Sequence, residues 1–128
     1  MKIRTFLTCE DIDIPKEDSG GTIIIKNMMS GIRVRKLPSK ESIIVLITLD
    51  EPSSHEVELH VAMLNSKDKF LSEWKKKLPP QRDAFAFRLT TDFHQSGKHF
   101  IKVTADGDFL GKYPFEILLP EEDDQGEQ

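Results

Sequence analysis

"FIKVTADGDFLGKYPFEI", Phe100 to Ile117, is the stretch whose reading decides the fold. Two apolar-rich runs meet at Asp106-Gly107. Ile101, Val103 and Ala105 point one way from the first run, and Phe109, Gly111, Tyr113, Phe115 and Ile117 share one face of the second. A two-residue repeat is the signature of a strand with one dry face. Asp-Gly between such runs is a strong hairpin signal, because Gly tolerates the positive φ of a tight turn. The stretch makes a sheet rather than a site. Pro114 has no N–H for a ladder, so its nitrogen should face an edge or a bulge, placing the last strand, or part of it, at a sheet border.

The same period runs outward through the chain. Val57, Leu59, Val61 and Met63 alternate with Glu56, Glu58, His60 and Ala62, and Phe85, Phe87 and Leu89 alternate with Ala84, Ala86 and Arg88. Ser42 to Leu49, "SIIVLITL", is apolar almost throughout and rich in β-branched residues, as in a strand buried on both sides. Gly21 to Met29 and Gly31 to Leu37 add two more strands. Breakers fall at Pro15, Pro38, Pro52, Pro79-Pro80 and Gly97. Ser66 to Pro80 fits two periods. Phe70, Leu71, Trp74 and Leu78 suit a short helix near 66–78, capped by Ser66 or Asp68, whereas Phe70, Ser72, Trp74, Lys76 and Leu78 suit a strand. Regular strands on both sides decide for the strand. About eight strands separated by turns predict an all-β, antiparallel sandwich or barrel.

Composition sets the frame. A chain of 128 residues suits one domain, here 1–119, with a core of its own. The lone Cys9 excludes an intramolecular disulfide and a multi-cysteine metal site. No signal peptide is legible at the N-terminus, and the apolar run Ile43–Ile47 is far short of the roughly 18 residues of a membrane span. We therefore expect a cytoplasmic protein without a membrane partner. The net charge of −4 is concentrated at the end: "EEDDQGEQ" holds five acids, and the rest carries 18 bases against 17 acids. A nearly neutral body argues against a nucleic-acid partner, and residues 120–128 read as an acidic, disordered tail.

The segments "TFLTCEDIDIPKEDSGGTIIIKNMMSGIRVRKLPS" and "FRLTTDFHQSGKHFIKVTADGDFLGKYPFEI" together resemble a prokaryotic family of single-domain β-sandwich proteins of uncharacterised function. The second resembles a G-x-Y-x-F-x-V-x-x-D-G-x-x-L-x-x-x-P-L-x-V ending and departs from it at His99, where tyrosine is expected, and at Ile101, where phenylalanine is expected. The resemblance implies an immunoglobulin-like sandwich and supplies no catalytic residues.

Little in the chain spells chemistry. His94 and His99 flank the Gln95-Ser96-Gly97 turn with Asp92 near, a polar cluster that lacks further ligands or an oriented nucleophile. His55 and His60 match no usual metal spacing. Glu56, Glu58 and His60 read as a wet face. Cys9, beside Glu10 and Asp11, reads as a small packed residue rather than a nucleophile. "WKKKLPPQR" offers one aromatic beside four bases, where a base-stacking platform normally uses several aromatics, so Trp74 reads as a core anchor. "DSGG", Asp18 to Gly21, lacks the spacing of a phosphate loop.

No catalytic, cofactor-binding or metal-ligating residues are assigned, and no cofactor is expected. The reading is a non-enzymatic protein-interaction module that takes an unidentified protein, or a second copy of itself, at a sheet edge. The alternative is a small-ligand or carbohydrate binder with an aromatic-lined groove built on Trp74, Tyr113 and the phenylalanines. Behind it stands a hydrolase or metalloenzyme at Asp92, His94 and His99.

Overall fold

The computed structural model describes residues 1–13 and 24–120. Nine strands follow one another: β1 (Lys2–Asp13), β2 (Ile24–Met28), β3 (Gly31–Arg33), β4 (Ser39–Asp50), β5 (Val57–Leu64), β6 (Phe70–Leu78), β7 (Ala84–Phe93), β8 (Gly97–Ala105) and β9 (Asp108–Leu118). There is no helix among the described residues, so Phe70–Leu78 takes the strand reading. The turn expected near Pro15, the start of the strand expected from Gly21, the Asp18–Gly21 stretch and the acidic tail after Pro120 lie outside the described residues.

The strands form two sheets, ordered β2-β1-β4-β7 and β3-β9-β8-β5-β6. Every pairing is antiparallel except β3 with β9. The adjacent pair β4–β7 faces the triplet β5–β8–β9, with β6 beside β5, and the chain changes sheet at β2–β3, β3–β4, β4–β5, β6–β7 and β7–β8. That is the strand order of an immunoglobulin-like sandwich. The core is supplied in period two: Ile43, Val45, Ile47 and Leu49 from β4 meet Leu59, Val61, Ile101, Val103, Phe115 and Ile117 from the other sheet. Ile44 and Leu46 are buried on the outer face of β4, beside Cys9 and Leu7 in register, which makes β4 dry on both sides as its composition predicts.

The β8–β9 hairpin forms at Asp106-Gly107, whose φ values of 49° and 87° are both positive, as a two-residue primed turn requires. Asp106 also anchors the turn to β5: its N–H donates to the Glu58 carbonyl at 2.9 Å and its carboxylate accepts from the Glu58 N–H at 2.8 Å. The expected facing of β9 needs one correction. Val103 pairs with Gly111 and Thr104 with Phe109, so Leu110 is an extra residue in a bulge. A one-residue slip inverts all that precedes it. Phe109 thus turns outward, 61% exposed, while Phe115 and Ile117 stay buried.

A second difference concerns the strand read from Gly31 to Leu37. Its ladder stops at Arg33, with one more bond from the Val34 N–H to the Leu118 carbonyl. Pro114 lies where its missing N–H placed it. β9 is an inner strand, but β3 covers only Glu116–Leu118. The Glu116 N–H donates to the Ser30 carbonyl on that side. By the alternation of a strand, the Pro114 nitrogen faces the same side, where β9 has no strand partner among the described residues. Part of the last strand is therefore a border, as its proline requires.

Candidate functional site

The two long seams of the sandwich are built differently. Between β6 and β7 the sheets are stitched by aromatics: Trp74 stacks on Phe87 with centroids 3.7 Å apart and planes 6° from parallel, and Ser72 shares a 2.6 Å hydroxyl hydrogen bond with Thr91. Trp74 is thereby packed, half-buried, against the core. The lysine run beside it divides by the same strand period, Lys75 and Lys77 lying on one face and Lys76 on the other. The aromatic–basic cluster spelled by "WKKK" is not assembled at one place.

The opposite seam, between β1 and β9, is open. A groove of about 390 Å³ runs along it, lined by Phe6, Thr8, Met28, Met29, Tyr113 and Pro114 among others. Phe6 and Tyr113 stack across it, 4.0 Å between centroids and 5° apart in plane. Tyr113 lies flat because Gly111, two residues back on the same face, has no Cβ: one added there would sit 2.5 Å from the Tyr113 hydroxyl. Burial raises the Tyr113 phenol above its ordinary value, so the ring presents a neutral hydroxyl. At the upper lip Met28 is 68% exposed and Thr8 donates its hydroxyl to the Met29 carbonyl.

Both strands flanking the groove have unshared backbone. β2 accompanies β1 only from Cys9 to Asp13, and the last bond on that side runs from the Met29 N–H to the Thr8 carbonyl. Lys2–Leu7 therefore has no strand partner on its outer side among the described residues. Among the described residues β9 has no strand partner on its own outer side from Asp108 to Phe115. Phe6 shares the outward direction of Thr8, and Lys112 that of Pro114. The sequence pointed to this border through Pro114 alone. It carried no signal that β1 would contribute a second border, because β1 and β9 are brought together only by sheet packing.

The other candidates separate. Asp92, His94 and His99 do not form a triad. Asp92 lies between buried Thr91 and Phe93 and so faces outward from β7, whereas His94 and His99 both line a cavity of about 180 Å³ at one end of the sandwich. His99 is 1% exposed, its Nδ1 bonded to the Gly97 carbonyl at 3.0 Å and its ring edge-on to Phe93. Its Nε2 has no hydrogen-bond partner among the described residues. Leaving such an atom unpaired costs about 1–3 kcal/mol. His60 pairs through Nε2 with Glu73 Oε1 at 2.6 Å, and His55 is exposed in the β4–β5 loop. No group of three or more His, Cys, Asp or Glu side chains suited to a metal occurs among the described residues.

Cys9 is buried on the outer face of β1. Burial pushes its thiol above the ordinary value, Asp11 adds to this through its charge, and a backbone hydrogen bond from Asp11 opposes it. The thiolate is the reacting form. The native protein is therefore expected to react with a thiol reagent at neutral pH far more slowly than the denatured chain. Equal rates in both states would show that the strand pairing around Cys9 opens readily.

No family model matches the chain, and no curated protein matches it. Among solved structures it is similar to the CARDB domain of a Pyrococcus furiosus protein, determined in complex with di-metal ions. The likeness covers 93% of this chain and 97% of that one, with a TM-score of 0.47 and 12% identity. No helix among the described residues is long and apolar enough to cross a membrane.

Proposed function

We propose that this chain is a non-enzymatic interaction module that receives an extended segment of another protein, or of a second copy, along the β1–β9 seam. The observation that carries this is the coincidence of two uncovered strand edges with one apolar groove. An incoming strand gains main-chain hydrogen bonds from an edge, and pockets beside the edge select its side chains. Here Phe6, Tyr113, Met28 and Met29 would take apolar side chains, and methionine adapts its shape to varied partners. Pro114 interrupts the β9 edge, which limits how far a strand can zip along it and guards against unspecific pairing. A carbohydrate or other small ligand is the second reading, favoured by the flat Phe6–Tyr113 stack.

The test compares wild type with Met28→Glu in capture from the source lysate at native levels and in size-exclusion chromatography. Met28 is exposed, so the substitution should leave the fold unchanged. A charge placed at the lip is expected to weaken capture or self-association at least tenfold, about 1.4 kcal/mol. Capture that is indifferent to Met28→Glu, or a monomer that captures nothing, would remove the seam as the docking site.

A further inference from the structure

β6 is the last strand of its sheet. It pairs with β5 alone, and the far side of Phe70–Leu78 has no strand partner among the described residues. Its middle carries Lys75, Lys76 and Lys77, all exposed. None of the three is in an ion pair among the described residues. Glu58 stands opposite Lys77 in the ladder without closing on it, and Glu73 is taken by His60. Three neighbouring ammonium groups thus border a free row of backbone N–H and C=O groups. Lysines at an edge keep uncharged strands from pairing there. The same lysines admit a strand that brings acids, because opposite charges across a strand pair attract.

Their placement narrows the ligand. Lys76 alternates with Trp74 and the buried Leu78 on the inner side of β6, and Lys75 and Lys77 lie on the outer face. A bilayer, a helix or a nucleic-acid strand laid on the sheet meets one face only. A strand added along the edge has the same two-residue period, so three successive acids meet all three lysines at once. The chain carries such a run in Glu121, Glu122, Asp123 and Asp124, beyond the described residues. That run cannot serve its own copy. Ile117 pairs with Gly97, whereas Lys76 pairs with Leu59, which pairs with Ala105. Gly97 to Ala105 is about 27 Å of strand, and a strand beyond β6 lies about 19 Å across the sheet from β9. The separation is roughly 33 Å, and the chain from Ile117 to Asp123 spans at most about 21 Å. A second copy has no such limit.

We infer that the β6 edge is a docking site for the acidic run of a second copy, residues 121–124, added as a further strand beside Lys75, Lys76 and Lys77. The contact is head-to-tail, so two copies close it by exchanging their segments and more copies extend it. It stands independently of the seam reading. The test uses the full chain at about 0.15 M salt, with a fluorescein-labelled peptide of residues 118–128 as probe. Binding is read by anisotropy and by the backbone amide spectrum, and self-association by analytical ultracentrifugation.

The expected result is saturable binding that moves the β6 amides and leaves those of β1 and β9 in place. Lys75→Gln, Lys76→Gln and Lys77→Gln together, all at exposed positions, should weaken it by about tenfold. A peptide whose four acids are separated by single serines sends them all to one face and should bind about fivefold more weakly. The full chain should associate as its concentration rises. Glu121→Gln, Glu122→Gln, Asp123→Asn and Asp124→Asn together should abolish that association, and Met28→Glu should not. No saturable binding at millimolar peptide overturns the inference and leaves the lysines as guards of the edge alone. Equal binding by the spaced peptide or by the triple lysine variant overturns the edge pairing. An oligothymidylate that moves the β6 amides where the peptide does not would reassign the lysines to single-stranded nucleic acid. A full chain that stays monomeric while the peptide binds, or whose association is lost only in Met28→Glu, overturns the assignment of the second copy as donor.

Discussion

Phe115→Ala is expected to cost about 3–5 kcal/mol, the largest single loss among these predictions. Phe115 is 1% exposed on the inner face of β9, 6.4 Å from Phe93 between ring centroids and opposite His99 in the ladder. Removing its ring takes away buried apolar surface and leaves a cavity whose walls are strands locked by hydrogen bonds on both sides. Such walls collapse poorly, which puts the cost toward the upper end. A domain of this size holds about 5–15 kcal/mol in total, so the variant should lose a large share of its margin.

Denaturant unfolding measures this directly, as a lowered midpoint with an unchanged slope. Phe109→Ala is the internal comparison. The two phenylalanines are six residues apart and share a face by strict alternation, yet Phe109 is 61% exposed. Its loss should stay within about 0.5 kcal/mol of wild type, as at most surface positions. Similar costs for both would mean that the bulge at Leu110 does not form and that β9 runs in the unbroken register.

Gly31→Ala is expected to cost about 1–3 kcal/mol and to loosen one short ladder selectively. A Cβ on Gly31 would lie 2.4 Å from the Glu116 carbonyl oxygen, a backbone atom held within β9. A long side chain could swing aside from such a contact; a strand backbone cannot without moving the sheet. β3 is the element that can yield, since it is three residues long and pairs with β9 only at Glu116–Leu118. The expected signature is faster amide exchange at Glu116 and Val34, whose N–H groups bond to Ser30 and Leu118 across this junction. Exchange at β5 and β8 should follow only the global loss. Unchanged protection at Glu116 together with wild-type stability would show that β3 and β9 are further apart than described.

The stabilities of these variants also bear on the seam. If β3 detaches in Gly31→Ala, the uncovered edge of β9 lengthens from Phe115 toward Leu118. A partner strand that docks there would meet a longer border. Binding changes in this variant must therefore be read beside Met28→Glu, which alters the groove lip and leaves the ladder intact.

Much of this architecture is local in origin, and the sequence determined it. Alternation placed the core residues of β5, β7 and β8 on one face each. The continuous run Ile43–Ile47 marked the central strand, and Asp106-Gly107 fixed a hairpin that needs positive φ at both positions. Phe70–Leu78 shows how neighbours arbitrate: its residues satisfy the helical period as well, but a helix there would strand the edge of β5 without a partner.

Tertiary structure decided the rest, because it depends on what strands do to one another across distance. The Leu110 bulge is a property of the β8–β9 ladder, invisible in the composition of either strand, and it sends Phe109 to solvent. Asp92, His94 and His99 are neighbours in sequence, but the two-residue period turns Asp92 away while the loop and β8 bring the histidines to one cavity. The unpartnered Nε2 of His99 follows from the burial of its ring, whose Nδ1 is held by the Gly97 carbonyl of the turn. The open seam depends on how far β2 and β3 extend along β1 and β9; Pro114 records that limit on β9, and no residue of β1 records where β2 stops.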